Sequence, residues 1–139
     1  MNEPMECIRQ AAALIIHGGR VCLITSSSGR RWILPKGTLE HGQSPGECAA
    51  QEAWEEAGIE GRPESRPVAR YRTIKWGREC VVAVYRLSVQ NVADDWPERR
   101  LRQRRWLSTS EAIERIDIPE VQSVLRKLGK PRAAKLRSA

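Results

Sequence analysis

Glu52, Glu55 and Glu56 fall in the segment Gln51-Glu52-Ala53-Trp54-Glu55-Glu56-Ala57-Gly58-Ile59. The segment reads as the last turns of a helix, and spacings of three and four residues put the three carboxylates on one helical face. Like charges at that spacing cost a helix about 0.2–0.5 kcal/mol per pair. A bound cation turns the cost into a gain, and hard divalent ions such as Mg2+ or Mn2+ favour oxygen ligands. A solvated acidic helix face is the bland alternative, and a lone Glu-Glu pair would be read that way. The residues upstream reverse the preference.

Those residues must position the acids. Arg31-Trp32-Ile33-Leu34-Pro35-Lys36-Gly37 reads as an apolar strand-like piece that ends at a proline, with a loop from Gly37. Gly42 and Gln43 carry the loop to a helix start. Ser44 is a good N-cap, Pro45 suits the first helical position, and Glu47 stands where a capping box places its carboxylate. The helix is expected from about residue 45 to residue 57, stopping at Gly58 as the C′ residue. Ala49, Ala50, Ala53 and Ala57 are small, so the helix can lie close against a sheet. The unit is strand, glycine loop, helix, with acids displayed on the helix.

From Gly37 to Ile59 the chain resembles the Nudix box, G-x5-E-x7-R-E-U-x-E-E-x-G-U, where U is a bulky apolar residue. Gly37, Glu52, Glu55, Glu56, Gly58 and Ile59 match in register. Gln43 stands where the first glutamate belongs, Gln51 where arginine belongs, and Ala53 is a small version of an apolar position. The family's glutamate and arginine at these places can form a supporting ion pair. Replacing both by amides leaves no unpaired charge behind, so the favoured reading is a neutral variant of the scaffold. The opposing reading, a weakened or dead site, stays open. Flanking pieces resemble the diphosphoinositol polyphosphate phosphohydrolase branch, which also takes diadenosine polyphosphates: Arg9-Gln10-Ala11-Ala12-Ala13, Leu23 to Ser28, Arg31 to Gly37, Asp94-Asp95-Trp96 and Arg104-Arg105-Trp106. That likeness covers roughly residues 7 to 116.

The resemblance implies hydrolysis of a phosphoanhydride bond in a nucleoside diphosphate linked to another group, or a similar small molecule. Such a substrate is an array of negative oxygens, which a divalent ion neutralises and orients while activating water. The implied ligand set is Glu52, Glu55 and Glu56, with the Gly37 carbonyl completing it, and the implied ion is Mg2+ or Mn2+. Glu52 and Glu55 are both open as the base; Glu40 and Glu79 are alternatives, because a metal-bound carboxylate is a poor base. Lys36 is the first choice to bind substrate phosphates. Arg9 and Arg31 follow from the branch resemblance, since guanidinium suits bidentate phosphate binding. Ser26, Ser27 and Ser28 offer hydroxyl donors. Among Trp32, Trp76, Trp96 and Trp106, the first and last read as core packing, and Trp76, in a turn beside Gly77, as the better base-stacking candidate.

With 139 residues, 40% hydrophobic and 29% charged, the chain is most simply one domain, 1–139. No apolar run approaches a membrane span, and Met1 to Glu6 lack a hydrophobic signal region, so a cytoplasmic location is the default expectation. Cys7, Cys22, Cys48 and Cys80 are scattered and read as reduced core residues. His17 and His41 stand alone, which argues against zinc. The net charge of +7 suits anionic partners. It clusters in a run of five arginines, Arg99, Arg100, Arg102, Arg104 and Arg105, and a basic tail at about 130–139. The tail reads as a solvated end. Nucleic-acid binding through it is weakly supported, because aromatic interleaving is sparse. Sequence leaves the oligomeric state open, a homodimer included.

Strands are expected at Cys7–Ile16 and Val21–Thr25 around the turn His17-Gly18-Gly19, at Trp32–Leu34, at Val68–Lys75 and Cys80–Ser88 around Gly77, and at Arg104–Leu107. Ser108 or Ser110 caps a short helix to Arg115, and Pro119 opens a last helix to about Leu128. The order suits an α/β fold, a mixed β-sheet between helices in a Nudix-like α/β/α sandwich. A metal-dependent pyrophosphohydrolase is the leading function. A non-catalytic sensor of a nucleotide or inositol phosphate, motivated by Gln43 and Gln51, is the second. A hydrolase acting on RNA 5′ ends, suggested by the charge, is the third.

Overall fold

Ala11 to Ile16 is apolar at nearly every position because the strand that carries it is covered on both faces. The computed structural model describes residues 7–129. Strand β1 (Ile8–His17) turns through Gly18 and Gly19, both at positive φ (59° and 74°), into β2 (Arg20–Thr25). The two-residue turn suits an antiparallel hairpin, and His17 pairs with Arg20. Residues alternate along β1. Ala11, Ala13 and Ile15 enter one apolar layer, and Ala12 and Leu14 enter the other.

Strands β3 (Trp32–Ile33) and β8 (Arg104–Ser108) pair with the two edges of β2. Strand β4 (Lys36–Thr38) pairs antiparallel with one edge of β1, opposing Gly37 to Ala11. On the other edge of β1 lies the 15-residue β7 (Arg78–Val92), which runs parallel to it. The far edge of β7 is shared by β6 (Ala69–Lys75) and β5 (Ile59–Pro63), both antiparallel to it. The sheet is therefore mixed.

Helix α1 (Pro45–Ala57) covers one face through Ala49, Ala53 and Ala57, all fully buried. Ser44 caps it, and the reciprocal bonds between Ser44 and Glu47 form the capping box. Gly58 ends it at φ 69° with its N–H on the Ala53 and Trp54 carbonyls. Helices α2 (Thr109–Arg115) and α3 (Pro119–Gly129) cover the opposite face, where Ala112, Ile116, Val121 and Leu125 join the core. The expected α/β/α layering is present. Ser108, rather than Ser110, caps α2.

Two strands escaped the sequence reading, and a third was read too short. Strand β4 is only Lys-Gly-Thr, and nothing in its own composition favours a strand; the free edge of β1 imposes it. Strand β5 carries Gly61 and Pro63 with a bulge at Glu60/Gly61, tolerated at a sheet edge. Pairing with β5 carries β7 on to Val92, past the expected end at Ser88. Cys22, Cys48 and Cys80 are buried and Cys7 is half-buried, all as free thiols. Among the described residues no helix is long and apolar enough to cross a membrane. Residues 1–6 and the basic tail from Lys130 lie outside the described residues.

Candidate active site

Helix α1 brings its acids onto β4 with no space to spare. A Cβ built on Gly37 would lie 2.4 Å from the Glu52 carboxyl carbon and 2.7 Å from both its oxygens. Only glycine leaves room for that carboxylate. One turn on, Glu56 is 6% exposed and accepts the Lys36 backbone N–H at 3.1 Å. Beneath them the Cys48 thiol faces the Gly37 carbonyl at 3.5 Å. Burial, and then the charge of Glu52, push that thiol's pKa up to about 11, so it is a neutral donor.

Burial first, then the adjacent Glu56 carboxyl and the charges of Glu55 and Glu98, push Glu52 up to about 8. Burial also raises Glu56, against the pull of Arg102, Glu52 and the Lys36 N–H. Of the two acids, Arg102 offsets the charge of Glu56 alone, and burial outweighs it.

Glu55 is held differently. Gln51 donates to its Oε1 at 2.9 Å, Gln43 donates to Gln51 Oε1 at 2.6 Å, and Gln43 Oε1 accepts the Glu40 backbone N–H at 3.0 Å. The two neutral amides are thus bonded to each other. Their relay holds Glu55 by its Oε1. Among the described residues no three acid, thiol or imidazole groups stand close enough to hold one metal ion together. The donor set still fits a hard cation, because it is all oxygen and two of its acids crowd one another in place of an ion.

Arg102 is the residue that sequence reading did not single out. Its guanidinium reaches Glu56 at 3.6 Å and Glu98 at 2.8 Å, and donates to the Thr25 carbonyl at 2.9 Å. The five-arginine run hid it, because Arg99, Arg100 and Arg105 are exposed while Arg102 and Arg104 turn inward. The i,i+4 spacing of Glu98 and Arg102 was the available signal. Glu98 itself is bonded through its N–H to the Glu55 carbonyl at 2.9 Å, so it sits beside the acids.

Glu56 and Arg102 face a cleft of about 410 Å³ whose other charged walls are Arg31, Lys36 and Lys75. Ser26 and Ser27 line it too. Burial and the nearby Lys75 lower the pKa of Lys36. Ser28 does not line this cleft; its hydroxyl is 3.1 Å from that of Ser26, which supports the loop. Arg9 lies instead in an adjoining groove with Glu40, His41, Gln43 and Trp76. Glu79 is on the exposed surface, paired with Arg72. Trp32 and Trp106 pack against the two apolar layers.

Trp96 and Arg104 serve the helix rather than a ligand. The indole lies over Gly58, where a Cβ would meet it at 2.6 Å, and its Nε1 donates to the Glu56 carbonyl at 3.2 Å. Arg104 sits 4.2 Å from the Trp96 ring centre and donates to the Ala57 carbonyl at 2.8 Å. Together they satisfy orphan carbonyls at the end of α1 and fix the turn bearing Glu55 and Glu56.

The chain is similar to known proteins over most of its length. The NUDIX domain model matches residues 8–128. "Nudix hydrolase 16, mitochondrial" of Arabidopsis thaliana is 34% identical over 113 residues, covering 76% of this chain and 63% of the plant protein. Human "Diphosphoinositol polyphosphate phosphohydrolase 3-alpha" is 31% identical over 124 residues, covering 80% of this chain and 70% of that protein. The chain spans only 46–63% of the length of the plant relatives it matches. A Caenorhabditis elegans Ap4A hydrolase structure superposes with TM-score 0.69 at 22% identity, covering 88% of this chain and 96% of that one. A Nitrosomonas europaea NUDIX hydrolase gives TM-score 0.73 at 20% identity, covering 90% and 91%.

Proposed function

Since the chain belongs to the Nudix family, we propose that it hydrolyses a phosphoanhydride bond in a small-molecule polyphosphate with the help of Mg2+ or Mn2+. Diadenosine polyphosphates and diphosphoinositol polyphosphates are the preferred substrates, on the strength of relatives and of the structural neighbour named for Ap4A. The observation that carries the reading is the buried Glu56, one helical turn from Glu52 and held by Arg102, in the wall of a cleft whose other charged residues are Arg31, Lys36 and Lys75.

Glu52, Glu56 and the Gly37 carbonyl would hold the ion, with Glu55 joining them on release from Gln51. The ion, when bound, neutralises the phosphate oxygens and acidifies water. Lys36 and Arg31 bind the phosphates that line up along the cleft, and Ser26 and Ser27 add hydroxyl donors. Water attacks phosphorus, the bond to the bridging oxygen breaks, and the water's proton goes to a carboxylate of the acid stripe. Arg102 holds Glu56 in place and offsets its charge. A cytoplasmic setting belongs to the same proposal.

A second reading rests on the Gln51–Glu55 bond: a protein whose third acid stays tied would bind a nucleotide or inositol phosphate without turning it over. Purified protein with Mg2+, offered a dinucleoside polyphosphate, a diphosphoinositol polyphosphate and a 5′-triphosphorylated RNA, separates these. Metal-dependent release of phosphate or nucleotide from either small molecule supports the hydrolase. Thermal stabilisation by the same compounds without release supports the sensor. Release from the RNA alone moves the substrate class to nucleic-acid ends.

A further inference from the structure

The β6–β7 hairpin turns on Trp76 and Gly77, at φ 52° and 70°, between the paired residues Lys75 and Arg78. Such a turn is the natural place for Asn-Gly. A bulky residue at positive φ is a genuine outlier, and Trp76 is the only non-glycine residue with one among those described. It gains nothing from burial in return, since it is 77% exposed. Backbone strain on an exposed aromatic side chain asks for a ligand rather than a packing role.

The position says which ligand. Ile74 and Lys75, on one side of the turn, line the phosphate cleft, while Trp76 and Arg78 line a neighbouring groove of about 510 Å³. The two spaces adjoin. Gln10 of the cleft donates to Thr38 of the groove at 3.3 Å, and β4 contributes Lys36 to one and Thr38 to the other. Lys75 Nζ lies 4.7 Å from the Trp76 ring centre. Lys75 covers one face of the indole, and the opposite flat face suits a planar heteroaromatic ring. A polyphosphorylated inositol has no planar face to stack there.

We propose that the groove under Trp76 is a nucleobase subsite, so that the substrate is a dinucleoside polyphosphate whose phosphates lie in the cleft and one of whose bases stacks on Trp76. The proposal rests on the phosphate cleft identified above and narrows its substrate class. Arg9 lines this subsite.

Equilibrium binding of diadenosine pentaphosphate and of inorganic tripolyphosphate is measured on the wild-type chain, Trp76→Asn and Trp76→Phe. Asn suits the turn, so that variant folds and melts at or above the wild-type temperature. Trp76→Asn is expected to weaken the dinucleotide about tenfold or more, the size of a lost base stack, and to leave tripolyphosphate within about twofold. Trp76→Phe keeps most of the affinity. A wild-type chain that binds the dinucleotide no better than tripolyphosphate, or an Asn variant that binds both as wild type does, overturns the subsite. Turnover is scored separately. Trp76-dependent binding without hydrolysis upholds the subsite and removes the enzymatic reading.

Discussion

Gln51 donates its side-chain amide to Glu55 at 2.9 Å while accepting from Gln43 at 2.6 Å. A neutral relay thus stands where the family pattern has glutamate and arginine, and it sets the position of one acid of the stripe. Gln43→Glu alone would set a carboxylate against the Gln51 carbonyl, and Gln51→Arg alone would put a new charge beside the Gln43 amide. Each single change is expected to cost roughly 1–3 kcal/mol, whereas the double change restores a matched pair and costs less than the sum. Urea unfolding of the four proteins in a double-mutant cycle reads the coupling. Additive losses would show that the two amides act independently.

Gly37 has no room for a side chain. Gly37→Ala forces the Glu52 carboxylate, 2.4 Å from the new methyl, to move. Displacements on the order of 1 Å cost roughly 100-fold in rate. The expected result is a folded protein with kcat down by about that factor and weakened Mn2+ binding. Unchanged metal affinity would mean that Glu52 is not a ligand.

Arg102 is the counter-charge of the buried Glu56. Removing one partner of such a pair costs about 3–5 kcal/mol, so Arg102→Ala is expected to lower the urea midpoint sharply, and Arg102→Lys less so. Arg99→Ala, at an exposed position of the same run, is expected to change little. Equal effects at both positions would deny Arg102 its special place.

Stability without metal should depend on pH in a particular direction. Glu52 ionises near 4.5 when unfolded but near 8 in the fold. A raised acid contributes stability that is complete below pH 4.5 and lost as pH climbs through 8. Urea midpoints in chelator are therefore expected to fall across that window, and Glu52→Gln to flatten the fall. Mg2+ substitutes for the proton on Glu52, so it should stabilise most at the alkaline end. A metal-free midpoint that rises over the same range would contradict the shift at Glu52.

Much of the site could be read in the sequence because it is built locally. Ser44, Pro45, Glu47 and Gly58 bound α1 through short-range capping, and the spacing of Gly37 from the glutamates carries the family pattern. What stayed hidden depends on contacts distant in sequence. Strand β4 exists because β1 offers it an edge. Arg102 finds Glu56 46 positions away, and Trp96 and Arg104 close the end of α1 from the far side of β7. The indole of Trp76 was legible as an exposed turn residue, but the groove beneath it is assembled from β1, β4 and the loop before α1.

Binding of Mn2+ followed by electron paramagnetic resonance, on the wild-type chain and on Glu52→Gln and Glu56→Gln, meets the central claim most directly. Saturable loss of the free-ion signal with wild type, and its weakening by at least tenfold in both variants, is the predicted result. A wild-type chain that leaves the free-ion signal untouched, or variants that bind as well as wild type, would contradict a cation-holding role for the Glu52–Glu56 pair.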